Sequence, residues 1–104
     1  MYYVYVICNT DGMMYVGYSA DLKKRVTQHN SGKNKSTRSQ RWKFPPLIYY
    51  EAYLGKADAI RRERSLKQRG QAKRYLKERI HNSLQIGSAE LGARLKAPSR
   101  REGR

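Results

Sequence analysis

The start of the chain alternates in a pattern with the period of a β-strand. Residues 2–8 (YYVYVIC) are aromatic or β-branched, a turn sequence (NTDG) follows them, and a second apolar run (MMYVG) comes directly after it. This arrangement predicts an N-terminal β-hairpin. Because side chains alternate between the two faces of a strand, Tyr3 and Tyr5 are expected on one face, with Tyr15 and Gly17 on a common side of the second strand.

Helical spacing replaces this alternation after Ser19, a residue that suits an N-cap position. Leu22 and Val26 lie one helical turn apart, and His29 continues their stripe. The spacing therefore predicts a helix from about residue 20 to residue 29, with His29 on its inward side.

The remaining apolar pattern predicts one further strand and two helices. LIYYEAYL at 47–54 is typical of a strand, and helices are predicted over about 56–68 and 71–81. The order ββαβαα indicates an α+β fold with a small three-stranded, mostly antiparallel sheet flanked by helices. Beyond residue 83 periodicity fades, so we expect a domain over 1–83 and a basic, flexible C-terminal tail over 84–104.

Composition narrows the partners and the compartment. The 23 lysines and arginines against 8 acids give a net charge of +15, which predicts a polyanionic partner such as nucleic acid. Cys8 is the single cysteine, which excludes a disulfide framework and a thiolate metal cage and fits a reducing cytoplasm. The longest apolar run is too short to span a bilayer and has no basic leader, so no membrane partner or signal peptide is expected.

A cationic segment separates the first predicted helix from the third strand. Its basic residues, its tryptophan and a Thr-Arg pair are typical of a surface that follows phosphates and stacks a base: Lys33, Lys35, Thr37, Arg38, Arg41, Trp42 and Lys43. A flexible loop without a binding role is the alternative. Lys23 and Lys24 are interpreted as a solvated helix face that also contacts the nucleic-acid backbone.

One carboxylate falls beside an apolar stripe. Glu63 comes four residues after Ala59 and three before Leu66 in a predicted helix. An ionised carboxylate turned toward a core is costly unless a cation meets it. Two interpretations stay open: Arg25, Arg62 or a lysine pairs with Glu63, or Glu63 holds a divalent cation, for which an oxygen ligand suits Mg²⁺.

Five elements, in order, resemble the motif of the GIY-YIG nucleases. They are Tyr3-Val4-Tyr5, Tyr15-Val16-Gly17, Arg25 eight residues after that glycine, His29 four residues later, and Glu63 in ADAIRRERSLK. The subgroup that the chain resembles most is the small single-domain bacterial one, which is UPF0213-like and similar to the N-terminal domain of UvrC.

The resemblance implies a GIY-YIG fold and hydrolysis of DNA phosphodiester bonds, in repair or recombination, with a single Mg²⁺ or Mn²⁺ ion. Carried over residue by residue, Glu63 would bind the metal and Arg25 would neutralise the scissile phosphate. Tyr5 and Tyr15 would line the side where water is activated, and His29 would orient or assist them. A guanidinium and a metal ion together suit the negative charge that develops during cleavage.

The substrate follows from the size of the chain. With 104 residues, mostly backbone contacts are expected, so recognition of DNA structure, including branched or single-stranded DNA, is favoured over a long sequence. No small-molecule cofactor is expected. Gly17 would let the backbone or the substrate come close.

Two departures keep other interpretations open. The first motif position is Tyr3 rather than glycine, and Tyr18 follows Gly17 where some relatives have a lysine, so His29, Lys24 or the metal would have to supply positive charge there. Without the other motif residues, Tyr5 and Tyr15 would be interpreted as aromatic residues that pack a β-sheet. A non-catalytic nucleic-acid-binding module on the same fold is the main alternative, and a basic RNA-associated protein is a weaker one.

Overall fold

The computed structural model of the chain describes residues 1–30, 46–68 and 70–96, and for 94–96 it describes the backbone alone. The elements are β1 (Tyr2–Cys8), β2 (Met14–Ser19), α1 (Leu22–Asn30), β3 (Leu47–Tyr53), α2 (Lys56–Lys67), α3 (Gln71–Arg79) and α4 (His81–Lys96). The predicted α+β class with a three-stranded antiparallel sheet is confirmed, and α4 extends the predicted order of elements.

β1 is the central strand and pairs antiparallel with β2 on one side and β3 on the other. Its residues from Val4 to Cys8 are fully buried, because both faces of the strand are covered. One face joins the main core, whose other members include Val16, Ala59, Leu66, Leu76 and Ile80. Tyr5 and Ile7 point to the opposite face, with Tyr15, Leu22 and Leu47 around them. The predicted division of β1 into two faces is therefore confirmed.

The start of α1 differs from the predicted cap. The N-cap is Asp21, whose Oδ1 accepts a hydrogen bond from the backbone N–H of Lys24 at 3.1 Å. Ser19, the predicted cap, instead bonds the backbone of Asp21, donating to its carbonyl at 2.9 Å and accepting from its N–H at 3.0 Å. The helix consequently begins at Leu22.

α4 packs against the sheet through a stripe of small and apolar residues. Leu84 and Leu91 are buried in it. Gly87, between them, is also buried, and a Cβ at this position would press against Ile48 and Cys8. Glycine is unfavourable within a helix, yet here its missing side chain allows the close approach of helix and sheet.

The prediction of a flexible tail is therefore wrong for residues 84–96, which are helical. Glycine, serine and alanine between the leucines resemble a linker in the sequence, which conceals the buried stripe. Residues 97–104 lie outside the described part of the chain. That residues 1–83 form the functional unit by themselves stays a prediction.

An ion pair surrounded by tyrosines attaches α2 to β3. Arg62 donates to both carboxylate oxygens of Glu51, with Nε–Oε1 and NH2–Oε2 distances of 2.9 and 3.0 Å. The hydroxyls of Tyr49 and Tyr53 donate to the same two oxygens at 2.6 and 2.5 Å. Burial alone would raise the pKa of Glu51, but these hydrogen bonds outweigh it and lower that pKa. Arg62 is thus committed to Glu51 and is not the partner of Glu63.

Gly17 determines where the Tyr5 side chain lies. The two residues are direct partners in the β1–β2 ladder, and a Cβ on Gly17 would overlap Cζ and Oη of the Tyr5 ring. The group that comes close to this glycine is therefore Tyr5 itself. Because Tyr5 is fully buried, its ring has little room to move away.

Glu51→Gln should lower the free energy of unfolding by about 2 kcal/mol at neutral pH, because Arg62 and two phenols lose a partly buried anionic acceptor. The folded-state pKa of Glu51 is lowered from 4.5, so this stabilisation is present above pH 4.5 and is lost as the pH falls through the folded-state pKa. Urea unfolding followed by circular dichroism at several pH values measures the difference.

Asp58→Asn is the matched control for this change. Asp58 pairs with Arg61 at 3.2 Å, but the two side chains are 60% and 74% exposed, so its removal should hardly change stability. Equal stability of Glu51→Gln and wild type at pH 7 would contradict the role of this pair in holding α2.

Gly17→Ala should destabilise the fold by about 2 kcal/mol, since overpacking a buried site typically costs about 1–3 kcal/mol. It should also change the near-ultraviolet circular dichroism of the tyrosines, because the Tyr5 ring must move. Gly92→Ala in α4 is the control, as an added Cβ there meets no heavy atom within 4 Å. Wild-type stability and an unchanged tyrosine spectrum in Gly17→Ala would rule out the described packing.

Candidate active site

Three rings from three elements meet on the Tyr5 face of the sheet. Ring centroids are 5.6 Å apart for Tyr5 and His29, 5.4 Å for Tyr15 and His29, and 6.5 Å for Tyr5 and Tyr15. The Tyr5 hydroxyl and His29 Nε2 form a hydrogen bond of 2.7 Å. Tyr5 and His29 are only 0% and 1% exposed. The structure thus brings together three residues that the sequence singled out, while their chemical roles stay predictions.

Burial sets the protonation of the Tyr5–His29 pair. It raises the pKa of Tyr5 to about 12, and the neighbouring Tyr15 acts in the same direction, against the opposing effect of Arg25. Burial also lowers the pKa of His29 to about 4, and the positive charge of Arg25 adds to this shift. At pH 7 the pair is therefore a neutral phenol beside a neutral imidazole, which has a nitrogen able to accept a proton.

Arg25 brings a guanidinium to the same place. It lies on α1 one turn before His29, is half-buried, and donates from NH1 to the backbone carbonyl of Tyr18 at 3.4 Å. It lies close enough to Tyr5 and His29 to oppose the raised pKa of Tyr5 and to lower the pKa of His29. Lys23 and Lys24, by contrast, are exposed on the same helix. Burial thus separates Arg25 from its basic neighbours, a distinction that composition could not make.

Glu63 approaches the site from α2. Its Oε2 lies 3.1 Å from Nζ of Lys67, one turn further along the helix, and its side chain is 23% exposed. The negative charge of Glu63 contributes to the raised pKa of Tyr5, which places the carboxylate within electrostatic reach of the phenol. Of the partners considered from the sequence, a lysine is the one that pairs with Glu63.

Lys67 does not stand out in the sequence. While it binds Glu63, its Nζ also lies 5.2 Å from the centroid of the Tyr15 ring, a cation–π contact. The spacing of Glu63 and Lys67 is a signal for their ion pair, but the contact with Tyr15 depends on how α2 packs against β2. Positive charge thus reaches Tyr15 from α2 and not from the position after Gly17, where Tyr18 stacks on Tyr2 with centroids 6.5 Å apart.

The other predicted residues fall into two groups. Val4 and Val16 are core residues, and Tyr3 is half-buried on the same face as Tyr5. The predicted phosphate-following segment lies outside the described residues, so its binding role stays a prediction: Lys33, Lys35, Thr37, Arg38, Arg41, Trp42 and Lys43.

The donor set at this site fits one hydrated divalent cation. Across residues 1–30, 46–68 and 70–96, no group of three or more His, Cys, Asp and Glu side chains is arranged to hold a metal. Mg²⁺ often binds through one or two carboxylates and completes its shell with water and substrate phosphates. The Glu63 carboxylate pairs with Lys67 in this structure, so an ion bound there would share the carboxylate with the lysine or replace it. Glu63 therefore fits a single-ion site, and the need for a metal stays a prediction.

No helix in the described part of the chain is long and apolar enough to cross a bilayer. The expected cytoplasmic location stays a prediction.

Comparison with known proteins tests the resemblance. The family model described as the GIY-YIG catalytic domain matches residues 1–76. A UPF0213 protein of Streptococcus agalactiae is 42% identical over 69 residues, which are 64% of this chain and 75% of the relative. A UPF0213 protein of Halobacterium salinarum is 37% identical over 75 residues, 71% of this chain and 95% of the relative.

A UPF0213 protein of Bacillus halodurans, known from a solution NMR structure, is 31% identical with a TM-score of 0.46, and the match covers 94% of this chain and 100% of that one. The family match includes all five motif elements between Tyr3 and Glu63. The resemblance found in the sequence is confirmed, and the chain belongs to the GIY-YIG nuclease family.

Proposed function

We propose that the chain is a Mg²⁺-dependent endonuclease that hydrolyses DNA phosphodiester bonds. The observation that carries this proposal is the buried 2.7 Å hydrogen bond between Tyr5 and His29, with the Arg25 guanidinium beside it and the Glu63 carboxylate within electrostatic reach. A proton acceptor, a phosphate-binding cation and a metal-binding anion thereby belong to one site. Membership of the GIY-YIG family supports a nucleic-acid substrate.

Arg25 has the chemistry to bind the scissile phosphate, because its planar guanidinium matches two phosphate oxygens. Its positive charge lowers the pKa of His29 in the free protein. A bound phosphate would offset that charge, so His29 should become more basic when DNA is in place. Substrate binding and proton acceptance are thus coupled through Arg25.

The proton path runs through a neutral phenol. Tyr5 is fully buried in the free protein, so this step requires DNA binding to bring one water to Tyr5 Oη. Tyr5 Oη then takes a proton from that attacking water while the Tyr5 hydroxyl proton passes to Nε2 of His29. The water oxygen bonds to phosphorus, the bond from phosphorus to the departing oxygen breaks, and that oxygen takes a proton from solvent to leave as an alcohol. His29 is left as an imidazolium, which then releases its proton to solvent. Because Tyr5 stays protonated throughout, its pKa of about 12 does not prevent this transfer. Tyr15 lies beside both residues, and its ring contacts His29 edge to face.

Glu63 and Lys67 complete the charge arrangement. When bound at Glu63, a divalent ion would supply positive charge to the phosphate oxygens as negative charge develops there. Lys67 holds the carboxylate toward Tyr15 through its two contacts. These residues are directed at phosphate and carry no base-reading information, which favours DNA structure over sequence and a role in repair or recombination.

A second candidate is a non-catalytic nucleic-acid-binding module on the same fold. Two observations favour it: Lys67 already neutralises Glu63, and no metal-binding group of three or more ligands occurs among the described residues. The same substrates and variants decide between the two functions.

Glu63→Gln should lower the cleavage rate at least about 100-fold, the scale of losing one electrostatic stabiliser, and leave DNA affinity within a few-fold of wild type. The assay uses end-labelled duplex, single-stranded, flap and four-way-junction DNA, with Mg²⁺ or EDTA. Glu78→Gln is the matched control, because Glu78 is an exposed glutamate on α3.

Mg²⁺-dependent cutting that Glu63→Gln loses and Glu78→Gln keeps supports the nuclease. Binding without cutting by the wild type on every substrate favours the non-catalytic module, and tighter binding of matched RNA than DNA points to an RNA-associated protein.

A further inference from the structure

An open groove runs beside the buried Tyr5–His29 pair, between α1 and the sheet. Its volume is about 610 Å³, and its apolar lining consists mainly of Tyr3, Leu22, Val26, Leu47 and Tyr50. Leu22 and Leu47 also pack against the buried cluster of Tyr5 and Ile7, so the groove shares residues with the surroundings of the candidate active site.

The groove presents an aromatic surface to solvent. The rings of Tyr3 and Tyr50 meet edge to face, with centroids 5.9 Å apart and an interplanar angle of 67°. Tyr50 is 53% exposed, so about half of a large side chain faces water. It lies directly opposite Tyr5 in the β1–β3 ladder. A flat, exposed ring therefore sits one strand away from the residue that we propose to activate water.

The net charge of +15 favours an anionic occupant, and the groove adds an apolar surface for it. Among the described residues, Lys23 and Asp21 are the charged side chains that line the groove, and the Asp21 carboxylate accepts a hydrogen bond from the backbone of α1. Arg25 lies one turn beyond Asp21 on the same helix. A nucleotide meets both demands, because its phosphate suits the cations and the face of its base suits the tyrosine ring.

The position of the groove restricts the nucleotide to one whose base is unpaired. Tyr3 and Tyr5 are two residues apart on one face of β1, which corresponds to about 7 Å. A phosphate bound by Arg25 beside the buried Tyr5 thus brings the neighbouring nucleotide to the groove. Within a duplex that base is stacked on its neighbours and cannot contact a tyrosine ring, whereas an unpaired base can.

We propose that this groove binds an unpaired nucleobase adjacent to the scissile phosphate, stacked on Tyr50. The nuclease then acts where a strand is single or locally unpaired. The position of the base relative to the cut rests on the proposed function, whereas the stacking itself does not.

The test measures binding to single-stranded oligonucleotides that carry one 2-aminopurine, in EDTA and at one fixed salt concentration. Wild type should bind the strand and quench the fluorescence of the base in at least one position. Tyr50→Ala should abolish the quenching and weaken single-strand affinity about tenfold, within the range found for removing one stacking aromatic, while blunt-duplex affinity stays unchanged. Tyr50→Phe should retain both properties.

Tyr75→Ala is the matched control, since Tyr75 is an equally exposed tyrosine, at 56%, on α3. Tyr75→Ala should quench the 2-aminopurine fluorescence and bind the single strand as wild type does. A second copy of the chain could also cover the groove, and sedimentation of each variant measures whether the protein is a dimer. A dimer that Tyr50→Ala converts to monomer, without loss of quenching, would overturn the proposal.

Three further results would overturn it: no binding of single strands by wild type, equal effects of Tyr50→Ala and Tyr75→Ala, or equal loss of single-strand and duplex affinity in Tyr50→Ala. Cleavage is scored separately with Mg²⁺. Stacking that depends on Tyr50, without cleavage, would refute the proposed nuclease function and support base binding in the groove. Cleavage by wild type, together with binding and quenching by Tyr50→Ala that equal those of wild type, would refute base binding in the groove alone.

Discussion

The buried hydrogen bond between Tyr5 and His29 imposes the strongest constraint on this structure. Each group is polar and removed from water, so each needs a partner, and here a phenol and an imidazole satisfy one another at 2.7 Å. The bond forms only if the Tyr5 ring lies across Gly17 and if α1 delivers His29 from the other side. The register of the hairpin positions Tyr5, the Asp21 cap fixes the start of the helix that carries His29, and both therefore determine this hydrogen bond.

α2 adds the charged half of the site, and its rotation is fixed from two directions. Ala59 and Leu66 enter the main core, while Arg62 is held by the carboxylate of Glu51. With those residues in place, Glu63 and Lys67 reach the Tyr5 and Tyr15 side. All the site residues described above lie on helices and strands, which is the arrangement expected for groups that must keep a fixed geometry.

Local periodicity was sufficient to predict the hairpin, the inward position of His29 and the unusual setting of Glu63. The order and spacing of the motif elements then identified the family. Spacing could not tell which charges meet across elements, so the Glu51–Arg62 pair and the contact of Lys67 with Tyr15 were not predicted, because both depend on how α2 packs against the sheet.

For α4 the sequence pattern was misleading, because it predicted a flexible segment where the structure has a helix. There Gly87 looks like a helix breaker in the sequence, but its missing side chain is what allows the helix to pack on Ile48 and Cys8. For this reason the prediction of a flexible tail was wrong for residues 84–96. A helix propensity gives the free-energy cost of placing a residue in an isolated helix. It does not include the stabilisation that comes from close packing of that helix against a sheet.

The central claim is that Tyr5 and His29 form a buried, neutral pair in the protein without DNA, and the titration of His29 tests it most directly. Histidine-labelled protein, with His81→Gln so that one ring signal remains, is titrated by NMR. A midpoint near pH 4 is predicted, because burial and Arg25 disfavour the imidazolium. Arg25→Met should move that midpoint upward. A midpoint near the ordinary value of 6.5 in the folded protein would mean that water reaches His29, and it would contradict the account.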